Sequence, residues 1–323
     1  MRAILVRAPG GPEELCLGEV PTPEPGVGQV RIKVAAAGVN RADLLQRRGF
    51  YPPPKGASEI LGLEASGVVD AVGPGVDSCA PGDPVVALLA GGGYADYVVV
   101  PAGQCAPAPE SMGLVEAGGI METSATVVSN FDHIHVAAGE TILIHGGSGG
   151  IGSFAIPYAK CLGLRVLTTV GSPEKAAHAR ALGADFAIDY HGDWAEEVRE
   201  ATLGAGVDAI LDIIGAKYLE ANVSVLARGG RMTVIGLQGG TKATLDLNAL
   251  LTKAATITAT SLRFRPLSEK TQIVEEVAER VWPLFETQQI PLPPITVFPL
   301  AEAAAAHTLL ESGDNVGKIV LIL

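Results

Sequence analysis

Residues 142–160, ILIHGGSGGIGSFAIPYAK, run from β-branched and apolar residues into a glycine cluster and then into a helix-like apolar pattern. Within the cluster, Gly147, Gly149 and Gly152 fit G-x-G-x-x-G, and Gly146, Gly149 and Gly152 fit G-x-x-G-x-x-G. With 40 glycines in the chain, either match alone carries little weight. The context is what restricts the fold. The turn leaves a strand-like run at 141–145 and opens a helix, and another strand-like run follows at 165–170, the βαβ order such a motif requires. Glycines let the backbone approach a pyrophosphate closely, and a helix N-terminus offers unpaired N–H groups. Ser148, Gly150 and Ile151 are expected to add amides or contacts in the same loop. Pro157, inside the helix, is expected to remove one hydrogen bond and kink it.

Further strand-like runs follow: FAID (186–189), VDAILDI (207–213) and RMTVIGL (231–237), most of them separated by helix-length segments. Strands alternating with helices predict a doubly wound parallel sheet of α/β class. One helix is marked at both ends over 173–182, with Ser172 as N-cap, Pro173 in the first turn and Gly183 after the last. Before residue 115 the chain differs. Short alternating runs, VRIKVAAAGV, GVVDAVG, DPVVALL and ADYVVVP, are divided by Pro-Gly turns and predict a compact, barrel-like β unit. SEKTQIVEEVAERVWPLF reads as one amphipathic helix, and GKIVLIL as a strand returning to that β unit. The expected domains are 1–118, completed by 261–323, and 119–260.

A cofactor with a free ribose 2′-hydroxyl is usually held by Asp or Glu at the end of the second strand. Here that strand ends VGSPEK, so Gly171 and Ser172 stand there, with Lys175 within reach and Tyr190 closing the next strand. This favours a 2′-phosphate, hence NADPH. Glu174 is adjacent, and a solvated helix lysine is the plain alternative for Lys175.

A formal net charge of −12 disfavours nucleic-acid backbones as general partners, so a phosphate must be held by local amides and chosen cations. The longest apolar runs are too short to span a bilayer, and an opening strand broken by Pro-Gly leaves no room for a signal peptide's apolar core. Cys16, Cys79, Cys105 and Cys161 lie far apart with no C-x-x-C pair, which predicts reduced thiols in a cytoplasmic protein.

VNRADLLQRRGFYPPPKGASEILGLEASGVV (39–69), HGGSGGIG (145–152), LDIIG (211–215) and NVGKIVL (315–321) together resemble the medium-chain dehydrogenase/reductase superfamily. The likeness is to its zinc-independent quinone oxidoreductases, related to zeta-crystallin, and covers nearly the whole chain. It implies a GroES-like β-barrel domain, a Rossmann domain, a cleft between them and a homodimer. Zinc-dependent members place a Cys ligand three residues before an Asp, and a His ligand within G-H-E. Those places read Asn40 before Asp43, and Gly62-Leu63-Glu64. Leucine cannot ligate a metal and asparagine is a poor zinc ligand, so no metal is expected.

By the same resemblance, Asn40 and Asp43 lie near the nicotinamide ribose and the vacated metal position. Tyr51, in FYPPPKG, overhangs the substrate and could relay a proton. Capping or an internal hydrogen bond is the alternative for Asp43, and packing beside the prolines is the alternative for Tyr51. Thr126 matches a position beside the nicotinamide ring. Gly236 and Leu237 fall where open sheets bind ligands. Ser261, Arg263 and Asn315 match positions near the nicotinamide half or the phosphates, although Arg263 in SLRFR could equally be a solvated edge. No catalytic role is assigned to a histidine. The function implied is metal-free, NADPH-dependent reduction of quinones. Two alternatives stand beside it: reduction of a C=C bond conjugated to a carbonyl, and an RNA-binding or structural role as a nucleotide-binding protein.

Overall fold

Strand β3 (Gln29–Val39) organises the first part of the chain, because three other strands hydrogen-bond to it. The computed structural model describes all 323 residues. In chain order, β1 (Arg2–Val6) and β2 (Leu15–Glu19) form an antiparallel hairpin ahead of β3. Helix α1 (Arg41–Arg47) follows β3, and then come β4 (Glu64–Val72), β5 (Pro84–Leu88), β6 (Tyr97–Pro101) and β7 (Cys105–Pro107). Two helices, α2 (Leu114–Ala117) and α3 (Met121–His133), lead into an alternating region. That region comprises β8 (Thr141–His145), α4 (Gly150–Cys161), β9 (Arg165–Val170), α5 (Pro173–Ala181) and β10 (Phe186–Asp189). It continues through α6 (Trp194–Ala201), β11 (Val207–Asp212), α7 (Leu219–Val225), β12 (Leu226–Val234), α8 (Leu247–Lys253) and β13 (Thr256–Ala259). The chain then forms α9 (Leu267–Arg280), α10 (Trp282–Glu286), β14 (Ile295–Pro299), α11 (Ala303–Ser312) and β15 (Lys318–Ile322).

Contacts divide the chain into two units. The first holds Met1–Ala125, Leu262–Gln288 and Leu292–Leu323; the second holds Thr126–Ser261 and Gln289–Pro291. The first division falls inside α3, where turn residues could not mark it.

The first unit is built on a seven-stranded sheet in the order β14-β15-β3-β4-β5-β7, with β6 also on β3. β3 pairs with β4 along one edge, while its other edge is shared, Gln29–Lys33 by β6 and Ala36–Val39 by β15. Register shifts at Arg31/Ile32 and Val34/Ala36 let one eleven-residue strand turn between these partners. Its inward residues Val30, Ile32 and Val34 join Leu44, Val69, Val85, Val98, Ile319 and Leu321 in one core. At about 25 cal/mol per Å² of apolar surface, this burial is the main term holding the unit together.

The second unit has a six-stranded parallel sheet, β10-β9-β8-β11-β12-β13, the doubly wound order expected of a Rossmann sheet. Its central strands are apolar on both faces, as a sheet covered by helices on both sides requires, and Leu143, Leu167, Ile210 and Met232 are buried. No helix is long and apolar enough to cross a membrane.

Two local expectations are corrected. The segment 268–285 is not one helix. α9 ends at Arg280 and α10 begins at Trp282, because Pro283 has no N–H for the preceding turn and its ring clashes with it. The strand expected at 231–237 ends at Val234, since Gly236 then passes so near Ile213 that a β-carbon would lie 2.6 Å from the Ile213 carbonyl oxygen.

Candidate active site

The glycine turn joins β8 to α4. Gly146 has φ +78°, a conformation that glycine adopts without strain. A β-carbon on Gly152 would stand 2.4 Å from the Gly146 carbonyl oxygen and the Gly147 α-carbon, so only glycine lets helix and turn meet. Thr169, near the end of β9, anchors the turn. Its carbonyl accepts the Gly146 and Gly147 amides at 3.2 and 3.0 Å, and its hydroxyl is 3.0 Å from His145 Nδ1. His145 is fully buried, its other nitrogen lies 2.7 Å from Asn222 Oδ1, and burial lowers its pKa to about 4, so it is neutral at physiological pH.

The N-cap of α4 is Gly149, which has no side chain to cap the helix. The Gly149 amide bonds Gly146 and the Ser153 amide bonds Gly149, whereas the amides of Gly150, Ile151 and Gly152 meet no acceptor of the protein. These donors, at the positive end of a twelve-residue helix, fit a diphosphate. Ser148 is buried beside them and its carbonyl accepts the Ser153 hydroxyl at 3.3 Å.

At the end of β9, Ser172 caps α5 by accepting the Lys175 amide at 3.2 Å. No carboxylate stands at Gly171. The half-exposed Tyr190 ring covers it instead. Thr126 is nearly buried in α3, its carbonyl accepting the Asn130 carboxamide at 2.8 Å. Gly236 and the exposed Leu237 follow β12, and Ser261 is the last residue of the second unit's main segment.

The remaining candidates belong to the first unit. Asn40 caps α1. Its Nδ2 donates to Glu64 Oε1 at 2.9 Å and its Oδ1 accepts from Lys318 Nζ. Lys318 and Glu64 form an ion pair at 2.7 Å, with side chains 5% and 1% exposed. Glu64 Oε2 accepts the Glu122 amide at 3.0 Å. Sequence reasoning missed Lys318 and Glu64. The signal was a lysine within an otherwise apolar closing strand, which reads as an edge residue until its partner is known.

Asp43 makes the internal hydrogen bonds that stood as its alternative. It is wholly buried, accepting the Asn40 amide at 2.8 Å, the Gly62 amide at 3.0 Å and the Tyr94 hydroxyl at 3.1 Å. Burial raises its pKa to about 6, against the pull of those donors. These bonds join the start of α1 to the Gly62 turn. Behind it, Tyr94 reaches His307 at 3.2 Å, His307 reaches Arg47 at 3.1 Å, and Arg47 pairs with Glu311.

Arg263 is also engaged within the protein. It is 4% exposed, which removes the solvated alternative. It lies in the first unit, where its Nε and Nη2 donate to the Ala90 carbonyl, Nη1 to the Tyr51 carbonyl and Nη2 also to Gln46, at 2.7–3.2 Å. Its guanidinium sits 5.2 Å from the Tyr51 ring centre, and Phe264 meets the same ring edge-on at 5.3 Å. Arg263 thus holds the Tyr51 loop with four of its five N–H donors. Asn315 lies in the turn before β15, bonded to Gly317 at 3.3 Å.

The donor set at Asn40 and Leu63 does not suit zinc. Leu63 has no donor, both ends of the Asn40 amide are engaged, and Glu64 already carries an ammonium. No cluster of three His, Cys, Asp or Glu side chains assembles elsewhere to hold a metal ion.

Residues 26–110 match the family of alcohol dehydrogenase GroES-like domains, and residues 150–279 match that of zinc-binding dehydrogenases. A 2-haloacrylate reductase from Burkholderia sp is 32% identical over 329 residues, covering 99% of this chain and 98% of the reductase. Phthioceranic/hydroxyphthioceranic acid synthase from Mycobacterium tuberculosis is 31% identical over 98% of this chain, which spans only 15% of that synthase. The crystal structure of Escherichia coli quinone oxidoreductase complexed with NADPH superimposes with a TM-score of 0.92 at 29% identity, covering all of both chains.

Proposed function

Because the chain belongs to the medium-chain dehydrogenase/reductase superfamily, among relatives of its zinc-independent quinone oxidoreductases, we propose that it is an NADPH-dependent reductase that delivers a hydride to quinones without a metal. The observation that carries this reading is the row of three unpartnered amides at the head of α4, beside a strand end without a carboxylate. The amides hold a diphosphate, and Ser172, Lys175 and Tyr190 surround a 2′-phosphate. The E. coli neighbour carries NADPH on the same fold, which supports that choice of cofactor.

When bound, NADPH would supply a hydride (two electrons with one proton), and the reduced quinone takes its second proton from solvent or from the Tyr51 phenol. The protein's own groups orient the acceptor. Asn40 offers an amide hydrogen to its oxygen, and Tyr51, steadied by Arg263 and Phe264, provides an aromatic wall. Without a Lewis acid, an isolated ketone would be left with a localised alkoxide. A quinone spreads the incoming charge over its π system, so placement and hydrogen bonds suffice.

The end-to-end match with 2-haloacrylate reductase favours a second reading, reduction of a conjugated C=C bond. NADPH oxidation followed with 1,4-naphthoquinone, benzoquinone and a small enone separates the two. Turnover of both quinones is expected, and turnover of the enone alone would overturn the quinone assignment.

A further inference from the structure

We infer that Lys318 is a positioning residue that locks the Asn40 carboxamide with one Nδ2–H turned toward the acceptor. This inference rests on the reductase reading above. An ammonium only donates hydrogen bonds and a carboxylate only accepts them. Lys318 Nζ therefore takes Asn40 Oδ1, and Glu64 Oε1 takes Asn40 Nδ2 at 2.9 Å. A half-turn of the amide would set NH₂ against ammonium and carbonyl oxygen against carboxylate, two repulsive contacts with little water to relieve them, since Lys318 and Glu64 are 4% and 0% exposed.

The pair is itself held in place. Glu64 Oε2 accepts the Glu122 amide at 3.0 Å, and Lys318 makes a long contact of 3.4 Å to Thr123 Oγ1. Asn40 is the half-buried member of the cluster and so the one a ligand can reach. Its second Nδ2 hydrogen has only the Gly38 carbonyl, at 3.5 Å, the outer limit of a hydrogen bond. That hydrogen is available to a better acceptor, such as a quinone or enone oxygen gaining negative charge. A metal would polarise the acceptor directly, whereas Lys318 aims a neutral donor at it.

The test is a mutant cycle. Lys318→Met alone strands Glu64 without its partner and endangers folding, so the informative protein is Glu64→Gln/Lys318→Met, which removes both charges. Relative to wild type, we expect NADPH affinity, measured by fluorescence titration, within about twofold, and kcat with 1,4-naphthoquinone lowered about 10- to 100-fold. In an Asn40→Ala background the same pair of substitutions should lower kcat by less than about twofold, because Lys318 acts through Asn40. A folded double variant with wild-type kcat overturns the inference, as does an undiminished loss in the Asn40→Ala background. A parallel loss of NADPH affinity would assign the pair a merely structural role and also overturn it. Wild-type protein that binds NADPH yet reduces no conjugated acceptor overturns the reductase reading, and this inference with it.

Discussion

The Tyr190 hydroxyl lies so close over Gly171 that a β-carbon there would stand 2.3 Å from it. Tyrosine thus occupies the side of the strand end from which an acidic side chain would otherwise meet a ribose. Because the ring is 42% exposed, it can swing away from a small intruder. Gly171→Ala is expected to cost less than about 1 kcal/mol of stability while weakening NADPH binding several-fold. In a Tyr190→Ala background the same change should leave NADPH affinity unaltered. Thermal unfolding and fluorescence titration check both statements, and equal losses in the two backgrounds would remove Tyr190 from the account.

Lys175 should matter only for a cofactor carrying the extra phosphate. Lys175→Glu is expected to raise the Kd for NADPH about tenfold or more at low ionic strength, and to leave that for NADH within about twofold. Added salt should shrink the difference. A variant that weakens both cofactors alike would show Lys175 to be structural.

Asp43 gives stability a definite pH dependence. Its pKa is raised from 3.8 to about 6 in the folded protein, so between those values the native state binds more protons than the unfolded state. Its contribution is therefore greatest near pH 4 and is lost as pH rises through about 6. Across that window wild type should lose about 2–3 kcal/mol relative to Asp43→Asn, on top of a constant offset for the altered hydrogen bonding. His307, held neutral by burial with a pKa of about 3, has the opposite slope and is present in both proteins. Urea unfolding from pH 4 to 7 measures the difference, and parallel curves would refute it.

Arg263→Lys keeps a positive charge but loses the planar fork that reaches Ala90, Tyr51 and Gln46 together. The Tyr51 loop should loosen, lowering kcat/KM for naphthoquinone about tenfold with NADPH affinity unchanged. An unchanged kcat/KM would mean that the loop needs no clamp. A matching loss of NADPH affinity would return Arg263 to the cofactor.

The parts of this molecule written locally were legible in the sequence. Strand, glycine turn and helix are specified by neighbouring residues, and the cap of α5 follows from Ser172 and Pro173, whose effects act within one turn. Asn40 and Asp43 stood out by family resemblance, yet a resemblance does not reveal burial, and the bonds from Tyr94 and Gly62 to Asp43 come from residues distant in the chain. Arg263 was ambiguous for the same reason, because its partners come from residues 46, 51 and 90. Lys318 showed only as a lysine in an apolar strand, since nothing near it in the chain signals a carboxylate at position 64.

The shared edge of β3 has a consequence for biosynthesis. The Asn40 carboxamide waits 278 residues for the lysine that orients it, and the whole main segment of the second unit is made in between. As a chain leaves the ribosome, the parallel sheet can assemble while the upper edge of β3 still lacks β15. A nascent chain stalled before residue 318 should therefore protect the nucleotide-binding half from protease and leave the β half open to cleavage, so that reductive competence arrives last.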